Sequence, residues 1–365
     1  MSNGTERPAA PAPITTARAS IRDIARYAGV SVATVSRVLN GSALVKPESA
    51  ARVQRIMEEH HYLPHAAARS LGRMRSETIG VVLPDIHGEY FSGLMRGIDA
   101  VAREARLHVL VASAHGSLRE AREVTQSLYG RIDGLLMMLP EAVDPNEAQA
   151  MTCGLPTVWM NGRHGALEGC HVSIDSLTPA RKLTQHLIDG GRRRIAFISG
   201  PRRNMDADQR LRAYLSVLAE QPDAMEPLVL DGDFSEESGY QAGRQLCVQP
   251  QSVDAIFAAN DMMALGCLFA LQEAGVDVPG QVALVGFDDV PIARYVNPAL
   301  TTAGVDVAGM GGKAMSRLIQ LLGPEPGEAT DDVFQPNLMI RTSSAAVNTG
   351  QGINAENKRR ASDQR

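Results

Sequence analysis

Polar and aromatic side chains directly follow many of the apolar runs that begin at residue 78, and their chemistry is that of ligand binding. Carboxylates, amides and one guanidinium can form paired hydrogen bonds with the hydroxyl groups of a ligand, and Phe234 can lie against an apolar ring face such as that of a sugar. We therefore expect these residues to line a site for a small polar ligand. The candidates are Asp85, Tyr90, Phe91, Asn161, Asn204, Asp206, Arg210, Phe234, Asn260 and Asp288.

Each candidate also has a purely structural interpretation. Tyr90 and Phe91 can be core residues. Two further carboxylates in the same stretches are predicted to have structural roles: Asp261 to cap the helix that begins there, and Asp289 to organise its own loop.

Catalytic patterns are weak in this chain. Asp288 and Asp289 are adjacent on a predicted strand, so they point to opposite faces and suit acid–base work on one bond poorly. The segment "GMGGKA" (309–314) lacks the GxxxxGK[ST] pattern of a phosphate loop. There is no GxSxG, no HExxH and no cluster of His and Cys. We predict no enzymatic activity, no cofactor and no metal.

The elements that must position the candidates alternate between strand and helix. Apolar runs such as "TIGVVLP", "DGLLMML" and "RIAFISG" recur over about 250 residues, which favours parallel sheets covered by helices on both faces. The length is enough for two doubly wound subdomains whose strand ends surround a shared cleft. The predicted helices span 89–106, 117–130, 176–190, 207–220, 235–247 and 261–274.

The charge distribution separates the N-terminal part from the rest. Residues 18–75 contain ten Lys and Arg against four Asp and Glu, a net +6, which leaves −11 for the remainder of a chain whose net charge is −5. A basic segment on an acidic body suggests a polyanionic partner. No apolar run approaches the roughly 20 residues that span a bilayer. Because there is no secretory signal and the four cysteines are scattered, we expect a cytoplasmic protein with reduced thiols.

Within this basic segment, three short helices are predicted, joined first by a tight turn at Gly29. Ser20 and Ser31 can cap the first two, and Pro47 suits the first turn of the third, which should end near His61. In the second helix the inward-facing residues should be Val35, Val38 and Leu39, packed on Ile21, Ile24 and Ala28. The small residues left facing outward permit close approach to base edges in a groove.

The string "IRDIARYAGVSVATVSRVLNG" resembles the helix-turn-helix of the lactose/galactose repressor (LacI/GalR) family. The similarity continues through "YLPHAAARSLGRMRS" (62–76) to "RTSS" (341–344). It implies a DNA-binding transcriptional regulator, with an all-α head on an α/β body like that of periplasmic binding proteins. The residues expected to meet DNA are Ser20, Arg22, Ser31, Val32, Ala33, Thr34, Ser36, Arg37, Asn40, Tyr62, His65, Ala68 and Leu71.

In that family the segment after "YxP" is a hinge helix that folds on DNA and inserts a leucine into the minor groove at a central step, typically CpG. By position this wedge is Leu71, with Ala68 beside it. Here His65 replaces the usual Asn cap, Gly72 weakens the helix and Lys46 replaces the usual Ser before the third helix. Without the family, residues 65–75 are an Ala-rich basic segment that could be an ordinary linker helix.

The resemblance also implies an effector, usually a sugar, at Asn161, Arg210, Phe234, Asn260 and Asp288. The predicted boundaries are a disordered tail (1–18), the head (19–64), the hinge (65–76), the effector-binding and dimerisation body (77–344) and a second disordered tail (345–365). Within the body, one subdomain takes 77–175 and 307–334, and the other takes 176–306 and 335–344.

These features predict a homodimeric repressor of sugar-utilisation genes that binds a pseudo-palindromic operator and is released by the effector, with no membrane partner. The absence of leucine from the C-terminal tail favours a dimer over a tetramer. A regulator that needs its ligand as a corepressor remains an alternative. A sugar-binding protein without DNA function would fit the body alone.

Overall fold

The structure is a computed structural model that divides into two compact units, a head within Met1–Ser76 and a body within Glu77–Arg365. The residues that it describes are 19–39, 44–60, 62, 75–139, 141, 143–161, 169–221, 226–248, 253–325 and 330–345. Asn40, His65, Ala68 and Leu71 lie outside these ranges, as do nearly all of the predicted hinge and tails.

The head consists of three helices: α1 (Ile21–Ala28), α2 (Val32–Leu39) and α3 (Pro47–Glu59). A capping box begins α1, because the Ser20 hydroxyl accepts the Asp23 N–H at 3.3 Å while the Asp23 carboxylate accepts the Ser20 N–H at 3.0 Å. Gly29 ends this helix at φ 62°, in the left-handed region that glycine tolerates best. Pro47 occupies the first turn of α3, as expected.

A small apolar core holds the head together. Ile24 and Val35 are fully buried and meet Val53 of α3, while Val38 and Leu39 are partly buried against the same cluster. The predicted inward face of α2 is therefore confirmed. This helix is stabilised by packing rather than by its own propensity, which explains why mediocre helix formers suffice.

The body contains two parallel sheets. The first has the order β11-β5-β4-β3-β1-β2 and the second β7-β6-β8-β9, as the strand–helix alternation predicted. A two-stranded antiparallel ribbon pairs β10 with β12. The strands are β1 (Thr78–Leu83), β2 (His108–Ser113), β3 (Gly134–Met138), β4 (Thr157–Met160), β5 (Cys170–Ile174), β6 (Ile195–Ile198), β7 (Leu228–Leu230), β8 (Ala255–Ala258), β9 (Ala283–Val285), β10 (Thr302–Gly304), β11 (Asp331–Phe334) and β12 (Asn337–Met339).

Helices cover these sheets, and six of them match the predicted segments to within two residues at each end. Two more, α6 and α11, were not in that prediction. The body helices are α4 (Glu89–Glu104), α5 (Leu118–Leu128), α6 (Pro145–Thr152), α7 (Leu177–Asp189), α8 (Met205–Ala219), α9 (Glu236–Val248), α10 (Asp261–Glu273) and α11 (Val307–Leu321).

Gly311 of "GMGGKA" lies inside α11 and allows this helix to pack closely against α4. A Cβ on Gly311 would lie 2.3 Å from the Leu94 carbonyl oxygen of α4, and one on Gly97 would lie 1.8 Å from the Ala308 carbonyl oxygen. Only glycine permits so close an approach of two backbones. None of the helices in the described ranges has the length and apolar content to cross a membrane.

Candidate functional site

The outward face of α2 is accessible. Val32 is 42% exposed, and Ala33 and Arg37 are exposed as well, whereas Thr34 and Ser36 are half-buried. Ser31 is exposed, and its hydroxyl accepts the Thr34 N–H at 3.1 Å, so it caps the helix as expected. The N-terminus of α2 thus presents short side chains that leave room for a close partner.

On α1 and α2, two arginines have guanidinium groups that pair with no described residue. Within the described residues, Arg22 and Arg37 are exposed and form no ion pair or hydrogen bond through their side chains. Arg26 differs, because it pairs with Asp23 at 2.6 Å and lies over the Tyr27 ring. The first two are therefore available for phosphates or base edges.

Two of the predicted DNA contacts have structural partners already. The Ser20 hydroxyl donates to the Asp23 carboxylate at 2.6 Å within the capping box. Tyr62 is half-buried, donates its backbone N–H to Met57 at 2.8 Å and packs on the head core, and this burial raises the pKa of its phenol. Both residues thus support the head whatever else they contact.

In the body, a cluster of polar side chains lies where strands end. Asn161 follows β4 with φ 55°, and its amide donates to the Tyr90 hydroxyl at 2.7 Å. Arg210, on α8, places its guanidinium 3.4 Å from the carboxylate of Asp288, which follows β9. The first sheet therefore supplies Tyr90 and Asn161, and the second sheet supplies the ion pair.

Arg210 is held rigidly. Only 4% of it is exposed, its Nη1 donates to the Ala259 carbonyl at 2.6 Å, and the guanidinium lies 3.7 Å above the centroid of the Phe287 ring. The Nε atom has no hydrogen-bond partner within the described residues. One N–H donor of this buried guanidinium is therefore unused by the residues that the structure describes.

Two buried carboxylates share this single guanidinium. Asp206 accepts from the Ser176 hydroxyl at 3.1 Å and Asp288 faces Arg210 directly. Burial raises the pKa of both carboxyls, that of Asp288 to about 7, although Arg210 opposes the change. Burial, with the charges of Asp288 and Asp206, also raises the pKa of the Tyr90 phenol. Asp206 and Arg210 are four residues apart among the buried residues of α8, so their side chains are neighbours on one face of that helix.

Three buried atoms of this cluster lack hydrogen-bond partners within the described residues: Asn161 Oδ1, Arg210 Nε and Asp288 Oδ1. Buried polar atoms are hydrogen-bonded in the great majority of cases, because leaving one unpaired costs about 1–3 kcal/mol. A concentration of such atoms beyond strand ends of both sheets suits a polar molecule that would satisfy them.

Two asparagines among the candidates cap helices. Asn204 Oδ1 accepts the Ala207 N–H at 2.9 Å, and Asn260 Oδ1 accepts the Met263 N–H at 3.0 Å. The Asn260 amide also donates to the Phe234 carbonyl at 3.0 Å. Much of their hydrogen-bonding capacity is therefore used within the fold.

The prediction that Asp261 caps α10 is wrong. Asn260 caps this helix because its backbone is extended, with φ −144° and ψ 170°, so its side chain can reach back to the first turn. Asp261 is fully buried and instead accepts from the Val290 N–H at 3.0 Å and the Thr302 hydroxyl at 2.6 Å. Asp289 does organise its loop, because its carboxylate pairs with Arg294 at 3.3 Å, and it also pairs with the distant Arg341 at 2.6 Å.

The remaining candidates border the cluster less directly. Phe91 packs edge-on against Tyr90 with 5.5 Å between ring centroids, and both are half-buried against the first sheet. Phe234 is half-buried, and its ring leaves no space for a side chain at Gly200. Asp85 is exposed and, within the described residues, bonds inside its own loop, including His87 Nδ1 at 2.8 Å.

Two segments of the chain match models of known protein families. Residues 20–65 match the model of the bacterial regulatory proteins, lacI family, and residues 184–344 match a periplasmic binding protein-like domain. The chain is 35% identical over 335 residues to the HTH-type transcriptional regulator GalR of Salmonella typhimurium, covering 91% of this chain and 98% of that relative. It is 32% identical to the regulator CelR of Thermobifida fusca, over 89% of this chain and 98% of that one.

The chain belongs to the lacI family.

Solved structures of the family share the architecture. A CelR–cellobiose complex matches with a TM-score of 0.66 and 32% identity, covering 89% of this chain and all of that chain. A lac repressor dimer bound to operator and the anti-inducer ONPF matches with a TM-score of 0.75 and 26% identity, over 90% of this chain and 99% of that one. As a member of this family, the chain is a DNA-binding transcriptional regulator with a helix-turn-helix head and a periplasmic-binding-like body.

Sequence reasoning missed two contributors to the cleft. Ser176 holds Asp206, and Arg203, after β6, forms an ion pair of 2.8 Å with Glu141, beyond β3. That pair joins the loops of the two sheets. The motif "GPRRNMDADQR" contains Arg203, but nothing in the sequence shows which carboxylate it meets. No group of His, Cys, Asp or Glu in the described ranges is arranged to hold a metal.

Proposed function

We propose that this lacI-family regulator is a repressor of sugar-utilisation genes, which binds its operator as a homodimer and is released when a small sugar-like effector enters the cleft. The observation that carries the effector part is the set of buried atoms on Asn161, Arg210 and Asp288 that form no hydrogen bond within the described residues. A sugar has adjacent hydroxyls that both donate and accept, so it can satisfy all three. The named CelR–cellobiose complex supports a saccharide effector.

DNA binding is assigned to the exposed face of α2 and its neighbours. Arg37 can bind the O6 and N7 atoms of guanine through two parallel hydrogen bonds, while Val32 and Ala33 are small enough to approach base edges and thymine methyls. Arg22 carries a free charge suited to the phosphate backbone. Specificity is then shared with the pairing of two heads and with the predicted wedge at Leu71.

Homodimerisation is supported by the first sheet. Its edge strand β2 exposes Leu110 and Val111, at 40% and 45% of their surface. An apolar edge strand with unpaired backbone groups is a ready site for another chain. The lac repressor relative is a dimer on its operator, consistent with a two-fold DNA site.

Effector and operator are coupled by linkage. A ligand that binds one arrangement of the two body subdomains more tightly shifts the population toward it, by typically 1–3 kcal/mol in such couplings. Operator DNA must then change effector affinity by the same factor. If the favoured arrangement is the one that binds DNA, the same site acts as a corepressor site, which is the alternative to induction.

We further propose that the chain is not an enzyme and that it works in the cytoplasm, where its DNA target lies. Of the adjacent Asp288 and Asp289, the first is paired with Arg210 and the second with Arg341. Neither is left as a free acid or base next to the other.

DNA binding by the full chain tests the proposal. Operator sequences are selected from a random pool, and their affinity is measured by fluorescence anisotropy between about 50 and 200 mM salt, where phosphate contacts make binding fall steeply. Arg37→Ala should lose about 1–3 kcal/mol on the selected site and relax its base preference. Arg55→Ala is the control, since Arg55 is exposed on α3 and lies 3.8 Å from Glu59. Absence of salt-dependent, sequence-selective binding would falsify the proposal.

A further inference from the structure

The charges around the cleft of the body are not balanced. Arg210 is one cation facing two buried carboxylates, Asp206 at 7% exposure and Asp288 at 6%. The neighbouring cations do not correct this, because Arg202 pairs with Asp231 at 3.1 Å and Arg203 pairs with Glu141 at 2.8 Å. Above the raised pKa values of these two carboxyls, a surplus negative charge therefore remains in the buried cluster.

The cluster also offers more hydrogen-bond acceptors than donors to a ligand. Within the described residues, the buried acceptor Asn161 Oδ1 has no hydrogen-bond partner and Asp288 Oδ1 has only the 3.4 Å ion pair with Arg210, whereas Arg210 Nε is a buried donor without a partner. Asp206 uses one oxygen for Ser176 and has further capacity to accept. A molecule that satisfies the cluster must bring more hydrogen-bond donors than acceptors.

Asp206 could serve only to complement the dipole of α8, but the geometry does not favour that role. Acidic residues in the first turn of a helix complement its dipole, and Asp206 lies in the first turn of α8. Its neighbour Asp208 fits that role, since it is exposed and pairs with Arg212 at 2.8 Å. Asp206 is buried instead, and its pKa is raised rather than lowered.

A further cation, Arg96, lies near Tyr90 and Asp288. Arg96 borders a small cavity that Tyr90 and Asp288 line as well. Its side chain, however, is exposed to solvent. Solvent therefore screens Arg96 from the buried groups.

We infer that Asp206 makes the cleft selective for an electrically neutral, hydroxyl-rich effector and against its carboxylated or phosphorylated analogues. The inference rests on the proposed function, because it concerns the same site. Hydroxyls donate to Asp206, Asp288 and Asn161, whereas an anionic group has no proton to donate and meets a like charge that water does not screen. Like charges placed together at an interface are a common means of excluding a wrong partner.

The test uses matched ligands on the full chain at pH 8, above the pKa of about 7 of Asp288. Glucose, galactose and cellobiose are each compared with the corresponding uronic or aldonic acid and the 6-phosphate, by thermal shift and then by titration calorimetry. Each neutral compound that binds should do so at least about tenfold more tightly than its anionic counterparts. Equal or tighter binding of an acid or phosphate overturns the inference on the wild-type protein alone.

Two variants locate the effect. Asp206→Asn keeps the side-chain volume but removes the surplus charge, so the preference for the neutral compound should shrink to about threefold or less. Asp208→Asn, two residues along the same helix, should leave the preference unchanged. A full preference in Asp206→Asn also overturns the inference.

Failure of the inference and failure of the proposed function can be told apart. Binding of neutral and anionic compounds alike rejects only the selectivity. Binding of no compound in the panel rejects both the selectivity and the saccharide effector, while salt-dependent operator binding still decides whether the chain is a repressor.

Discussion

Replacing Arg210 by Ala removes the one cation of the buried cluster. The substitution deletes the 3.4 Å contact with Asp288, the hydrogen bond of 2.6 Å to the Ala259 carbonyl and the stacking on Phe287. It leaves Asp206 and Asp288 buried next to each other with no positive charge between them. We expect the effector response to be lost and the body to be destabilised as well.

The cost can be estimated from the burial of the pair. Removing one partner of a buried ion pair typically costs 3–5 kcal/mol, because the other charge is left without compensation. The lost stacking and hydrogen bond overlap with this figure and are not added to it. In a domain of this size, 1 kcal/mol corresponds to roughly 2–4 °C in melting temperature, so we expect a fall of about 10 °C.

The stability lost in Arg210→Ala should increase with pH. Arg210 lowers the pKa of Asp288, which burial nevertheless raises to about 7, so the substitution raises it further. When the pKa of a carboxyl is higher in the folded than in the unfolded protein, its ionisation destabilises the fold. This destabilisation begins as pH rises above the unfolded pKa and reaches its full size above the folded pKa. The deficit of Arg210→Ala should therefore be larger at pH 8 than at pH 5, by at least ~1 kcal/mol.

The assay follows the body alone. Trp159 is the single tryptophan of the chain and is 4% exposed in β4, so its fluorescence during urea unfolding reports the body rather than the head. Arg212→Ala is the control, because Arg212 is 72% exposed, and surface pairs contribute less than about 1 kcal/mol. A deficit below ~1 kcal/mol, or one that is equal at both pH values, would refute the account of the cluster.

Two further predictions concern the body's surface. Asp332 on β11 accepts from Arg317 at 2.6 Å and lies 3.3 Å from Lys313, so Asp332→Asn should cost about 1 kcal/mol at pH 7 by urea unfolding. The pKa of Asp332 is lowered, chiefly by the Arg317 hydrogen bond. The stability difference between Asp332→Asn and the wild-type protein should therefore disappear as pH falls through the folded pKa. A stability difference that stays constant with pH would contradict this ion-pair role for Asp332. Leu110→Glu on β2 should convert the dimer to a monomer in sedimentation velocity, whereas Val248→Glu on α9, where Val248 is 82% exposed, should not; a dimeric Leu110→Glu protein would exclude this edge as the interface.

Most of the fold was accessible from the sequence because its signals are local. Apolar runs of strand length, hydroxyl caps such as Ser20 and the glycine at position 29 each act over a few residues, and the structure follows them closely. The missed elements are those whose signal is weak or non-local. The glycine-rich α11 lacks good helix formers at its start, and the short strands β10, β11 and β12 depend on distant partners.

The sequence by itself determined the types of residue in the cleft and the inward face of α2. Only the tertiary structure decided which polar atoms remain free. Asn204 and Asn260 have the same side chain as Asn161, yet both cap helices, whereas the buried Oδ1 of Asn161 accepts from no residue that the structure describes. Asp206 and Asp208 are two residues apart, but only Asp206 is buried. Hydrogen-bond satisfaction and burial depend on what packs against a residue, and that is set by segments distant in sequence.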